Sequence, residues 1–173
     1  LNSNITFDTI SCFGYNDGVA YSNTTGGTSP YTYFWGTTGS TSNQSTGLNG
    51  FNLYTIAITD ANGCPTLNEV FTVPQPDSII IYSTVLNPST TTSLDGTIIT
   101  DSITGGSLPY SYLWSTGSTV QNLFSLSVGN YILQISDNNY CIANSSFNLT
   151  STTISGCTDP IALNYDSLAN VDD

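Results

Sequence analysis

An all-β architecture built from two tandem units is what this sequence predicts, and three observations predict it. The first is an internal repeat. Gly26-Gly27-Thr28-Ser29-Pro30-Tyr31-Thr32-Tyr33-Phe34-Trp35 returns 79 positions later as Gly105-Gly106-Ser107-Leu108-Pro109-Tyr110-Ser111-Tyr112-Leu113-Trp114. The second is an apolar period of two: Tyr54, Ile56 and Ile58 alternate with Thr55, Ala57 and Thr59, and the pattern recurs in Tyr131, Leu133 and Ile135. That period marks half-buried antiparallel strands. The third is punctuation by Ser/Thr clusters, Gly-Gly pairs and Asp60-Ala61-Asn62-Gly63, with no stretch of helical period between them. Together they predict two immunoglobulin-like antiparallel β-sandwiches.

The rest of the repeat follows in register. Asp17-Gly18 matches Asp95-Gly96, Gly39-Ser40-Thr41 matches Gly117-Ser118-Thr119, and the strand from Tyr54 to Asp60 matches that from Tyr131 to Asp137, with offsets between 77 and 79. Units of that length exceed a solenoid repeat and suit small independent domains. The first is expected over 1–76, ending in Val73-Pro74-Gln75-Pro76, whose prolines fix φ and make a stiffened joint. The second is expected over 77–151, and 152–173 starts a separate module rich in Cys and Asp.

Tyr31, Tyr33 and Trp35 share one strand face and recur unchanged as Tyr110, Tyr112 and Trp114, which makes that face the core and Trp35 and Trp114 its anchors. Phe34 and Leu113 point the other way and form a partly exposed patch. Asp60-Ala61-Asn62-Gly63 and Asp137-Asn138-Asn139 read as hairpin turns, because Asp and Asn tolerate the left-handed conformation.

Composition bounds the function. The chain has no Lys, Arg or His among its 173 residues and twelve acids, eleven Asp and Glu69, for a formal charge of −12. Phosphate backbones and anionic lipid surfaces are repelled, so no nucleic-acid partner and no direct membrane insertion are expected. A general base near neutrality, a Schiff-base amine and an imidazole ligand all need the missing residues. Carboxylate pairs could still cleave glycosides, but the acids are scattered, and the expectation is no catalytic residue and no enzyme. No apolar run reaches the length of a membrane span, and no charged region followed by an apolar stretch marks a signal peptide. Starting at Leu1, the chain reads as an excised piece of something longer.

Cys12, Asp17-Gly18, the Gly-Gly-x-x-Pro-Tyr-x-Tyr-x-Trp run and Asp60-Ala61-Asn62-Gly63-Cys64 resemble the SprB repeat, a module of very long surface adhesins of gliding and marine Bacteroidota. The resemblance covers residues 5–150, twice. It implies export by the type IX secretion machinery, an extracellular or cell-surface location, and adhesion to a substratum or surface polysaccharide. Gly156-Cys157-Thr158-Asp159-Pro160-Ile161-Ala162-Leu163-Asn164-Tyr165 with Val171-Asp172-Asp173 is similar to a short motif of the same secreted proteins, usually closed by a further cysteine.

The cysteines agree with export. A Cys12–Cys64 disulfide would close a loop of about 50 residues and stabilise the first unit by roughly 4 kcal/mol in the chain-entropy model. Cys141 aligns with Cys64, but the place of Cys12 falls near Thr90, so Cys141 is either free or paired with Cys157. The resemblance favours leaving Cys157 for a cysteine farther on.

No organic cofactor is expected. Calcium needs only oxygen ligands, and Asp159, Asn164, Asp166, Asn170, Asp172 and Asp173 gather such side chains near the end of the chain, without the order of an EF-hand loop. Asp8-Thr9-Ile10, Asp77-Ser78-Ile79, Asp101-Ser102-Ile103 and Asp166-Ser167-Leu168 resemble the bacteroidotal O-glycosylation triplet, which marks Thr9, Ser78, Ser102 and Ser167 for glycans. Three function classes follow: a non-catalytic adhesive stalk, a protomer of a self-associating extracellular filament, and a carbohydrate-binding module. The filament draws on edge strands that have no lysine to block strand addition.

Overall fold

The computed structural model describes residues 1–64, 67–151 and 154–172. The chain divides into two units, Leu1–Ser78 and Ile79–Asp173. All described regular structure is β-strand.

The first unit contains β1 (Asn2–Asp8), β2 (Gly18–Thr25), β3 (Thr32–Trp35), β4 (Gln44–Leu48), β5 (Tyr54–Thr59) and β6 (Leu67–Phe71). They form two three-stranded antiparallel sheets, ordered β1-β2-β4 and β3-β5-β6. Alternation places the side chains: along β5, Tyr54, Ile56 and Ile58 are buried while Thr55 is exposed. Both sheets feed one core, with Ala20 from β2, Trp35 from β3, Leu48 from β4 and Ile56 and Ile58 from β5. Fully burying each aliphatic side chain contributes about 1.5–3 kcal/mol. Trp35 is 2% exposed, its indole N–H donates to the Ser42 carbonyl at 2.8 Å, and its ring meets Phe71 edge-on with centroids 5.8 Å apart.

The second unit repeats this plan with β7 (Ile80–Leu86), β8 (Gly96–Thr104), β9 (Ser111–Trp114), β10 (Leu123–Leu126), β11 (Gly129–Ser136) and β12 (Ile142–Leu149). The sheets are ordered β7-β8-β10 and β9-β11-β12. Trp114 holds the place of Trp35: it is 2% exposed, donates to the Val120 carbonyl at 2.8 Å and packs on Phe147 with centroids 5.8 Å apart.

The sequence left two recurring devices unread. Phe71 and Phe147 are equivalent partners of the two tryptophans. Tyr54, at the start of β5, turns its hydroxyl back onto Asn49, donating to its carbonyl at 3.3 Å and accepting from its amide at 2.8 Å. Tyr131 does the same to the Ser127 carbonyl at 3.1 Å. These tyrosine corners fasten the β4–β5 and β10–β11 connections.

The proline segment belongs to the first unit. Val73 is buried in its core, the Ile10 amide donates to the Pro74 carbonyl at 3.3 Å, and the Gly14 amide donates to Gln75 Oε1 at 3.1 Å. After β12, the chain folds back on itself through isolated bridges, Ser155 with Val171 and Cys157 with Tyr165. Asn170 ties this segment to the second unit by donating to the Ser89 carbonyl at 2.8 Å.

Candidate functional site

The residues that recur between the units build the ends of each sandwich. Asp60 follows β5 and is buried. Its Oδ2 accepts the Thr28 amide at 3.0 Å, and its Oδ1 accepts the amides of Asn62 at 3.1 Å and Cys64 at 2.9 Å. Asp137 repeats the arrangement with Ser107, Asn139 and Cys141, each amide at 2.8 Å. One carboxylate thus pins the Gly-Gly-x-x-Pro loop onto the β5–β6 or β11–β12 turn. A cβ on Gly27 would lie 2.8 Å from Asp60 Oδ2, and one on Gly106 would lie 2.9 Å from Asp137 Oδ2, so the second glycine of each pair makes room for the carboxylate. In each loop the X-Pro bond, Ser29-Pro30 or Leu108-Pro109, is cis, and the following tyrosine returns its hydroxyl to the first glycine's carbonyl, Tyr31 to Gly26 at 2.7 Å and Tyr110 to Gly105 at 2.5 Å. Amide hydrogens take the place of cations here. The Cys64 amide, and then that of Thr28, hold the Asp60 carboxyl below its ordinary range.

The opposite end carries the Asp-Gly pair. Asp17 accepts the Ser11 amide at 3.1 Å and also its hydroxyl, the hydroxyl being the larger cause of its lowered pKa. Asp95 accepts the Ser89 amide at 2.9 Å, and the Ser93 and Ser89 hydroxyls push its pKa down to about 2. The adjoining glycines sit in notches. A Cβ on Gly18 would lie 2.9 Å from the Leu48 carbonyl, and one on Gly96 would lie 2.8 Å from the Leu126 carbonyl.

Four acids that recur are therefore framework, with their oxygens committed to neighbouring amides and hydroxyls. The candidate contact surfaces lie elsewhere. On the outer face of the β3-β5-β6 sheet Phe34 is 55% exposed, and on that of β9-β11-β12 Leu113 is 49% exposed. Leu113, Ile132, Gln134 and Asn144 line an open depression of about 210 Å³ on the latter sheet. A second depression, about 190 Å³, opens beside the Asp137 turn between Pro109, Tyr110 and Tyr140.

The expected cysteine pairings are not formed. Cys64 and Cys157 carry free thiols, while Cys12 and Cys141 are disulfide-bonded. Strand direction explains why Cys12 cannot reach Cys64. Gly27, beside Asp60, lies against Leu1, so Cys64 is at the end where β1 begins, and Cys12 lies beyond the end where β1 finishes. Seven strand residues span about 23 Å, whereas bridged cysteines have Cα atoms within about 7 Å. β7 separates Cys141 from Cys157 in the same way, since Gly106 at the Asp137 turn abuts Ile79 and Asn170 meets Ser89. Cys64 instead hydrogen-bonds Asp60, which raises its thiol pKa.

Among the described residues no three acidic or cysteine side chains converge on a metal position, so Asp159, Asp166 and Asp172 do not form such a group by themselves. Asp159 and Asp166 cap their own turns, and Asp172 holds a distant amide. Asp159 accepts the Ile161 amide at 3.0 Å, Asp166 that of Leu168 at 2.9 Å, and Asp172 that of Thr158 at 3.1 Å. Asn164 is exposed, and Asp173 lies outside the described residues. Of the proposed glycan acceptors, Thr9, Ser102 and Ser167 are exposed and Ser78 is half-buried.

No protein-family model matches the chain, and no curated protein matches it significantly.

Proposed function

We propose that this chain is a non-catalytic stalk and adhesive segment of a large secreted cell-surface adhesin of the SprB-repeat type. The observation that carries the reading is the division of labour between recurring and varying residues. What recurs is the carboxylate clamp, glycine notch, tyrosine corner and buried tryptophan; what varies is the exposed surface. A repeated frame with changing surfaces suits a spacer that keeps its fold while its contacts diverge. The disulfide-bonded Cys12 and Cys141 support an oxidising, extracellular compartment, reached through the type IX machinery by way of the parent protein. Multi-angle light scattering over a wide concentration range tests the reading: a stalk segment stays monomeric, and ordered fibres would reject it.

A second reading, the protomer of an extracellular filament, is favoured by the terminal segment. Ile161 and Leu163 there are 91% and 109% exposed, a large apolar surface for so short a stretch. Substituting both with Ser should abolish any fibres formed if that reading holds.

A further inference from the structure

The turns after β5 and β11 share one backbone geometry but differ in side chain. Gly63 has φ +67°, and Tyr140, its equivalent, has φ +63°. Glycine adopts this left-handed conformation freely, and a tyrosine rarely does. Packing does not explain the tyrosine, because it is 83% exposed. A strained backbone that holds an aromatic ring out toward solvent points to a role for the ring.

The ring has company. Tyr140 lines the depression of about 190 Å³ together with Pro109, Tyr110, Ser111, Ser136 and Asn138. Tyrosine and proline supply flat apolar faces. The Ser111 and Ser136 hydroxyls lie 2.8 Å apart across the β9–β11 pair, and Asn138 is exposed. The matching positions of the first unit keep the hydroxyls, as Thr32 opposite Thr59, but carry Ala61 for Asn138 and Gly63 for Tyr140. The second unit has added a ring and an amide to a frame that the first leaves bare.

Charge selects the ligand class. The chain offers no cationic side chain and carries −12, so an anionic ligand is repelled. A cationic ligand finds no open counter-charge, because the Asp137 oxygens are taken by the amides of Ser107, Asn139 and Cys141. A neutral ring with apolar C–H faces and hydroxyl edges matches a stacking aromatic flanked by hydroxyls and an amide. We propose that the Tyr140 depression is a binding subsite for a neutral polysaccharide. This deepens the adhesive reading and rests on it.

Native affinity electrophoresis of the full chain through gels containing hydroxyethyl cellulose, soluble β-1,3-glucan or agarose, with alginate as the anionic counter-probe, tests the site. The expected result is retardation by at least one neutral polymer and none by alginate. Tyr140→Gly and Asn138→Ala should each weaken that retardation about ten-fold or more. Tyr140→Gly should not lower the melting temperature, because glycine accepts the backbone. Retardation of Tyr140→Gly equal to that of the parent chain, retardation by alginate alone, or none in any neutral gel would overturn the site. Light scattering on the same samples separates the two ideas: a monomer that ignores polysaccharide removes the subsite and leaves the stalk, while fibres remove the stalk.

Discussion

Thr28 and Asp60, 32 positions apart, are joined by an amide-to-carboxylate hydrogen bond of 3.0 Å that closes one end of the first unit. Asp60 takes three backbone amides, those of Thr28, Asn62 and Cys64, besides the Cys64 thiol, so replacing its charge with a neutral amide group weakens every one of these bonds.

Acid should therefore loosen both units. Carboxyls whose folded pKa lies below the unfolded value stabilise fully above the ordinary range, and that contribution disappears as pH falls through the folded value. Asp60 and Asp17 are lowered by the Cys64 amide and Ser11 hydroxyl respectively. Asp95 is lowered from 3.8 to about 2. Melting temperature followed by circular dichroism should be flat near neutrality and fall across the window from 3.8 to about 2. Asp95→Asn should flatten that fall for the second unit, and an unchanged acid profile would contradict the role given to this carboxylate.

The glycine notches make a second expectation. Gly18→Ala and Gly96→Ala should each cost roughly 1–3 kcal/mol through overpacking, because the new methyl meets a carbonyl within 2.9 Å. Urea unfolding measures this, and neutral substitutions would show that the notches can widen.

Each unit contains one tryptophan, Trp35 or Trp114. Trp35→Phe leaves Trp114 as sole reporter, and Trp114→Phe the converse, so fluorescence can follow each unit separately. Truncation to Ala should cost about 3–5 kcal/mol in the affected unit.

Thiol labelling checks the cysteine states. Without reductant, iodoacetamide should modify Cys64 and Cys157 and spare Cys12 and Cys141. Cys64 should react slowly near pH 8, since its bond to Asp60 raises the thiol pKa. Modified Cys12 in the mass spectrum would contradict the assignment.

Local chemistry was legible in the sequence. Period-two alternation exposed the strands, the repeat aligned the two cores, and Asp60 and Asp137 announced their turns. Features that depend on where strand ends fall in space were not legible. Cys12 and Cys64 bracket the first unit in sequence, yet β1 carries them to opposite ends. The terminal acids looked like a ligand cluster, but Asp159 and Asp166 are satisfied within two residues and Asp172 by Thr158. Tyr54 and Tyr131 aligned as strand residues, and only the path of the preceding loop reveals what their hydroxyls hold. Tyr140 carried a faint signal, a bulky residue where the other copy has glycine.

The clamps at Asp60 and Asp137 also set how the fold responds to brine. With no lysine, arginine or histidine, attraction between oppositely charged side chains contributes nothing that dissolved ions could weaken. What ions can screen is the mutual repulsion of twelve acids, which works against compactness. Added salt therefore firms this protein where it would loosen one stitched together by surface ion pairs.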